Sequence, residues 1–133
     1  MRLPTSILAI GAAFALFAPV AVADRSATKA ERAAIKRVTM KRCAAPDGCT
    51  FRRARVSTRN ARYAWAEIIG EGVSGMLLRR PTSRSRRFEV VGFQGGGIGE
   101  CHYWRKRAPR SVLRDLDIHG LVDVSSGTEG NCG

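Results

Sequence analysis

The sequence predicts an α+β fold, in which an N-terminal helix packs on a four- to five-stranded antiparallel sheet and a short C-terminal helix and a disulfide-tied tail follow. Three observations lead to this prediction: one amphipathic segment with a capping signal, several short alternating segments joined by turns, and four cysteines. A chain of 133 residues is long enough for one small domain.

The first 23 residues predict a secretory signal peptide. A positively charged start precedes an uncharged apolar run over residues 7–18, and residues 21–23 give the small-x-small pattern of a cleavage site. The run is shorter than the roughly 20 apolar residues that span a membrane. We therefore expect cleavage after Ala23, a single exported domain over residues 24–133, and no stable membrane insertion after cleavage.

The first element of the exported domain is a predicted helix over residues 26–42. Thr28 and Glu31 fit a capping box, in which each side chain accepts a hydrogen bond from a backbone amide at the helix start. Residues 34–38 carry a narrow apolar stripe that faces the core. Pro46 prevents the helix from continuing.

Short alternating segments separated by turn residues predict an antiparallel meander after this helix. The predicted strands cover residues 50–57, 63–69, 73–78 and 87–93, with a further short strand over residues 101–104. The second predicted helix has Pro109 at its first helical position and ends at Gly120. Residues 125–131 are predicted to form a polar tail.

The four cysteines predict disulfides, because an exported chain meets an oxidising compartment. Four cysteines allow three pairings. We favour Cys43 with Cys49, because the turn formers at residues 46–48 bring the two ends together. Cys101 then pairs with Cys132 and holds the polar tail. The cysteine spacing lacks the Cys-x-x-Cys motif of zinc sites, and the sequence predicts neither a metal nor a cofactor.

Arginine gives this chain its formal net charge of +12, since 19 of the 23 basic residues are arginine. Guanidinium groups match phosphate and carboxylate oxygens, so an anionic envelope polymer or another secreted protein is the expected kind of partner. The candidate polyanion-binding residues are Arg84, Arg86, Arg87, Arg105, Lys106 and Arg107. Arginine enrichment is also typical of a GC-rich coding sequence, and this second explanation stays open.

A glycine-rich segment over residues 95–99 has the composition of a phosphate-binding loop. It lacks the Gly-Lys-Ser/Thr ending of a P-loop, and no helix within a parallel βαβ unit follows it. We therefore predict a flexible connection between strands.

Glu67, Arg87 and His102 form the constellation that suggests catalysis. They occur in that order in the segments Tyr-Ala-Trp-Ala-Glu, Arg-Arg-Phe-Glu and Glu-Cys-His-Tyr. In order and residue type, residues 63–103 resemble the small microbial ribonucleases. The resemblance implies a glutamate base, an arginine on the phosphate and a histidine acid. A Ser/His/Asp hydrolase is disfavoured, because the chain has no nucleophile elbow.

A second resemblance rests on longer segments. These are Arg-Val-Ser-Thr at 55–58, Arg-Tyr-Ala-Trp-Ala at 62–66, Phe-Glu-Val-Val at 88–91 and Ser-Val-Leu-Arg-Asp-Leu at 111–116. Over roughly residues 30–120 the chain is similar to small exported domains of actinobacterial type that have no assigned function. This resemblance implies the fold and export, and it supplies no catalytic residue.

The sequence therefore favours a non-catalytic binding domain that acts at or outside the cell envelope. The alternative is a secreted phosphodiesterase of the ribonuclease kind. A third possibility is an inhibitor of a secreted enzyme, which would use an exposed loop at residues 81–87 or 94–99.

Overall fold

A computed structural model describes residues 24–43, 48–70 and 72–133. The predicted signal peptide and the predicted turn at residues 46–47 lie outside this part of the chain. The elements, in chain order, are β1 (Asp24–Ser26), α1 (Lys29–Arg42), β2 (Cys49–Ser57), β3 (Tyr63–Gly70), β4 (Val73–Arg79), β5 (Glu89–Gln94), α2 (Cys101–Arg105), α3 (Arg110–Asp115), β6 (His119–Asp123) and β7 (Thr128–Asn131).

The fold is α+β, as predicted. Strands β1 to β5 form one antiparallel sheet in chain order, and β6 and β7 form a separate two-stranded hairpin. Helix α1 covers one face of the large sheet, whereas α2, α3 and the hairpin, together called the C-terminal layer, cover part of the other face. Within the described residues no helix is both long and apolar enough to cross a membrane.

Helix α1 begins with the predicted capping box. The Thr28 hydroxyl accepts a hydrogen bond from the Glu31 amide at 3.2 Å, and the Glu31 carboxylate accepts one from the Thr28 amide at 2.9 Å. The helix starts at Lys29 rather than at residue 26, because Ser26 pairs with Arg55 as the last residue of β1. Its buried stripe packs against small side chains of β2 and β3.

The predicted strand at residues 101–104 is wrong, because this segment is helical. Cys101 and Trp104 are both buried, whereas His102 between them is exposed. Side chains three positions apart share one face of a helix, so this burial pattern follows from α2. Four residues are too few to separate a helical period from a strand period by sequence.

The second predicted helix is shorter than expected. Pro109 is its N-cap residue, and the helix ends at Asp115 rather than at Gly120. Asp117 has φ 54°, a left-handed conformation that stops a helix. Gly120 lies in β6, where a Cβ would sit 2.5 Å from the Gly99 carbonyl oxygen. The predicted polar tail contains the turn and β7 of the hairpin.

Both predicted disulfides are present. Cys43–Cys49 joins the end of α1 to the start of β2, with the Cα atoms 6.1 Å apart. Cys101–Cys132 joins α2 to the residue after β7, with the Cα atoms 5.0 Å apart. The second bridge therefore holds the C-terminal layer together.

The sheet face under the C-terminal layer is aromatic. Trp65 of β3 contacts Trp104 of α2 edge to face, with the ring centroids 5.5 Å apart. A Cβ at Gly75 would lie only 2.1 Å from the Trp65 ring, so the ring crosses β4 where no side chain is present. Farther along β3 on the same face, Glu67 and Ile69 lie beyond this layer, and Ile69 is 57% exposed.

Side chains of α2 and of the residues that follow it cover the outer edge of β5. The Phe93 amide donates to the Tyr103 hydroxyl at 3.0 Å, and Arg107 Nε donates to the Val91 carbonyl at 3.0 Å. The Arg107 guanidinium lies over the Tyr103 ring at 3.5 Å, which holds both side chains in place.

Candidate functional site

The arginine loop, residues 81–87, contains the first predicted basic cluster. Arg84, Arg86 and Arg87 are exposed, and their side chains make no hydrogen bond or ion pair with any described residue. Three guanidinium groups within four positions repel one another, so this loop is a concentrated positive surface.

A buried arginine holds the arginine loop in place. Arg80 is 2% exposed, and its guanidinium donates to the Ser85 carbonyl at 3.1 Å and to Glu31 at 2.9 Å. It also lies over the Phe88 ring at 4.7 Å. Glu31 in turn accepts two hydrogen bonds from Arg25, and chiefly these bonds lower the pKa of Glu31 to about 2.

The second predicted basic cluster is largely engaged within the protein. Arg105 donates to the Cys132 carbonyl at 3.0 Å, and Arg107 donates to the Val91 and Tyr103 carbonyls. These bonds tie α2 to the C-terminus and to β5. Of this cluster, only Lys106 is exposed and has no hydrogen bond or ion pair to a described residue.

An open cleft of about 420 Å³, called the sheet-face cleft, lies where the C-terminal layer ends. Its floor is formed by β2 and β3, and one wall comes from the start of the hairpin. Its charged and titratable lining residues are Arg52, Arg53, Arg55, Glu67, Asp117 and His119.

A β-bulge brings consecutive arginines to this cleft. The pairing of β2 with β3 passes from Phe51–Ile68 to Arg53–Glu67, so Arg52 is the extra residue. A bulge breaks the strict alternation of side chains, which allows Arg52 and Arg53 to line the same cleft.

Glu67 is the carboxylate on the floor of the cleft. Arg53 binds it through two hydrogen bonds, Nε to Oε2 at 2.7 Å and Nη2 to Oε1 at 3.0 Å. These bonds lower the pKa of Glu67, and the positive charges of Arg53, Arg55 and Arg52 lower it further. Glu67 is therefore ionised at neutral pH.

His119 and Asp117 form a pair on the cleft wall. His119 Nε2 lies 2.7 Å from Asp117 Oδ1, which also accepts a hydrogen bond from the side-chain Nδ2 of Asn131 at 3.1 Å. The hydrogen bond with His119 is the main cause of the lowered pKa of Asp117. The left-handed backbone of Asp117 places this carboxylate between the two partners.

Of the three predicted catalytic residues, only Glu67 lines the sheet-face cleft. Arg87 is in the arginine loop, and His102 is exposed on α2. The chain has two histidines, and the one in the cleft is His119, which sequence reasoning did not select. The pattern Asp117-Ile118-His119, in which two polar residues flank a buried apolar one, could have indicated that Asp117 and His119 lie on the same exposed side of the chain.

Within the described part of the chain, no group of three or more His, Cys, Asp or Glu side chains is arranged to hold a metal ion. No family model matches the chain, and the comparisons with curated proteins and with solved structures found no similar protein. Both resemblances therefore stay predictions, and geometry and charge are the remaining guides to function.

Proposed function

We propose that this domain is a non-catalytic binding module that acts outside the cell and binds an anionic envelope polymer through the arginine loop. One observation carries the proposal: Arg84, Arg86 and Arg87 are exposed and unpaired on a loop that buried Arg80 fixes from below. The full chain has a net charge of +12, of which only the charge of Arg2 lies in the predicted signal peptide, and this charge adds a longer-range attraction for any polyanion.

The contacts around the loop favour binding over a purely solubilising role. A guanidinium group without an internal acceptor keeps all five N–H donors for phosphate oxygens. A loop that is already fixed loses little conformational freedom when a ligand binds. If the loop neutralises three phosphates of a flexible polymer, a plot of the logarithm of the binding constant against the logarithm of the salt concentration should have a slope of about −2.

The test is a binding titration with fluorescently labelled poly(glycerol phosphate) at several salt concentrations. We expect the triple variant Arg84→Gln/Arg86→Gln/Arg87→Gln to bind at least tenfold more weakly and to lose most of the salt slope. The matched control, Lys36→Gln/Arg37→Gln/Lys41→Gln on α1, removes the same charge from another exposed surface. Equal losses in the two variants would mean that net charge alone, and not the arginine loop, binds the polymer.

Export is the second part of the proposal. Two disulfides are consistent with an oxidising extracellular compartment. The predicted cleavage would leave Asp24, the first residue of β1, at the new N-terminus. Mass spectrometry of the protein recovered from culture medium should therefore give a chain that begins at Asp24. A chain found only inside cells, with Met1 retained, would contradict export.

A second candidate function, phosphodiester cleavage, is favoured by the sheet-face cleft, which brings Glu67, His119 and three arginines together. The Glu67 carboxylate would take the proton of an RNA 2′-hydroxyl as its oxygen bonds to phosphorus. Protonated His119 would donate its proton to the departing 5′-oxygen. Glu67 becomes available as a base only after the substrate phosphate draws Arg53 away, because both carboxylate oxygens are bound to Arg53.

The two histidines provide a matched test of cleavage. If the candidate is right, His119→Ala should reduce RNA cleavage at least about a hundredfold, whereas His102→Ala, on α2 outside the cleft, should leave it unchanged. The absence of cleavage by the unmodified protein would remove this candidate and leave polymer binding untouched.

A further inference from the structure

We propose that a separate hollow beside α2 binds a small, mostly apolar molecule that carries one neutral acceptor oxygen, such as an aryl ketone or an aryl amide. This indole pocket has a volume of about 380 Å³ and is lined mainly by Phe93, Gly99, Glu100, Tyr103 and Trp104. It lies away from the arginine loop and shares only Gln94 with the lining of the sheet-face cleft, so the inference is independent of the proposed polymer binding.

A buried donor without an acceptor points to the ligand. Trp104 is 1% exposed, and its indole Nε1–H has no hydrogen-bond partner among the described residues. A Cβ at Gly99 would lie 3.8 Å from this nitrogen, so the N–H lies next to the lining of the pocket. Unpaired buried donors are rare in native proteins because each one has lost its bonds to water, so an acceptor supplied by a ligand would remove this cost.

The glycine-rich segment at residues 95–99 is suited to admit such a ligand. A Cβ at Gly96 or Gly97 would meet no atom within 4 Å, so the space beside these two residues is open. On the opposite side, a Cβ at Gly92 would lie 2.7 Å from the Trp104 ring, so the ring is closely supported by β5. Gly99, beside the indole nitrogen, is held in place, because its carbonyl accepts a hydrogen bond from the Leu121 amide at 2.8 Å. The open residues 96 and 97 are therefore the part of the segment that can move to admit a ligand.

The lining defines the chemical class of the ligand. Phe93 is 41% exposed and, with the Tyr103 ring, offers apolar surface to a planar molecule. Glu100 is the one charged side chain among the described lining residues, and its carboxylate disfavours an anionic ligand. The acceptor for the indole is therefore a neutral carbonyl oxygen. The volume falls within the usual range of small-molecule sites.

The first test compares two probes of similar size, acetophenone, which has a carbonyl, and ethylbenzene, which has none. Nuclear magnetic resonance follows the two indole N–H signals of the unmodified protein. Contacts to Gly92 identify the ring of Trp104, and contacts to Gly75 identify that of Trp65. We expect acetophenone to shift the Trp104 N–H signal and to bind about fivefold tighter than ethylbenzene, because one neutral hydrogen bond contributes about this ratio of affinities. No shift of this signal with acetophenone would overturn the proposal.

Two variants locate the binding. Trp104→Phe keeps an aromatic ring without the N–H, so it should reduce the acetophenone preference to about one. A preference that persists in Trp104→Phe would overturn the assigned hydrogen bond. Phe93→Ala, at an exposed position that tolerates truncation, should weaken the binding of both probes severalfold. Ile69→Ala, at an exposed apolar residue outside the pocket, should leave the binding of both probes unchanged. Equal effects of these two alanine variants would place the probes elsewhere.

Discussion

The two faces of the large sheet are closed in different ways. On the α1 face, a regular 14-residue helix packs on mostly aliphatic side chains, and buried Arg80 and Glu31 join the sheet to the helix start. On the opposite face, two helices of five and six residues and a hairpin pack on aromatic rings. This C-terminal layer leaves part of its face open as the sheet-face cleft.

The difference shows what each layer requires to stay in place. A helix of 14 residues supplies its own hydrogen bonds and a continuous apolar stripe. Helices of one or two turns do not persist alone, so the C-terminal layer depends on Cys101–Cys132 and on tertiary bonds. One such bond set joins Asp115 of α3 to Ser57 and Thr58 at the end of β2, at 2.6 Å and 2.7 Å.

The largest expected effect comes from removing the disulfide of the C-terminal layer. Cys101→Ala/Cys132→Ala should lower the free energy of unfolding by about 4 kcal/mol, whereas Cys43→Ala/Cys49→Ala should lower it by about 2 kcal/mol. The reason is that Cys101–Cys132 closes a longer loop than Cys43–Cys49 does. Denaturant titration measures both values. Equal losses would mean that the two faces depend on their disulfides to the same degree.

The ionic contacts of the α1 face should make its stability depend on pH. The pKa of Glu31 is about 2 in the folded protein, which is below its value in the unfolded chain. Glu31 therefore adds its full contribution to the free energy of unfolding above pH 5, and this contribution is lost as the pH falls toward 2. The shift corresponds to about 3 kcal/mol. The stability gap between the unmodified protein and Glu31→Gln should therefore shrink between pH 7 and pH 2.5. Glu129→Gln, an exposed control, should show no such convergence.

The aromatic face should be sensitive to one added methyl group. Gly75→Ala places a Cβ within 2.1 Å of the Trp65 ring, and the displaced ring should cost about 1–3 kcal/mol. Near-ultraviolet circular dichroism reports the change in tryptophan packing. Gly96→Ala, where a Cβ meets no neighbour, should leave both the spectrum and the stability nearly unchanged.

The smallest effect is expected in the open part of this face. Arg53 is 60% exposed, so its ion pair with Glu67 should contribute less than about 1 kcal/mol in a double-mutant cycle with Arg53→Gln and Glu67→Gln. High salt should reduce the coupling further. A coupling above 2 kcal/mol would show that the cleft floor is a structural support and not a free binding surface.

Local signals made the α1 face predictable from the sequence. The capping box of Thr28 and Glu31, the alternating strands and the turn formers between Cys43 and Cys49 each act within a few residues. These signals predicted the fold class and Cys43–Cys49, and Cys101–Cys132 then followed as the pair of cysteines that remained.

Arg84, Arg86 and Arg87 of the arginine loop were named from the sequence, whereas the sheet-face cleft could not be predicted, because it depends on contacts between distant segments. The bulge at Arg52 appears only when β2 pairs with β3, and His119 reaches the cleft only because Asp117 turns the chain after α3. The free state of Arg84 and the engaged state of Arg107 likewise depend on which carbonyl groups the fold brings near each guanidinium. The amino-acid composition alone does not distinguish an arginine that is free to bind a ligand from one that is bound within the protein.

The covered edge of β5 has a consequence for the protein in solution. An edge strand with open N–H and C=O groups is a template on which a second chain can add, and such growth leads to aggregates. Here the Tyr103 hydroxyl accepts a hydrogen bond from the Phe93 amide, and Arg107 donates one to the Val91 carbonyl, so both edge groups already have a partner. A concentrated sample should therefore resist polymerisation along this edge, and Tyr103→Phe combined with Arg107→Ala should make it prone to fibril formation.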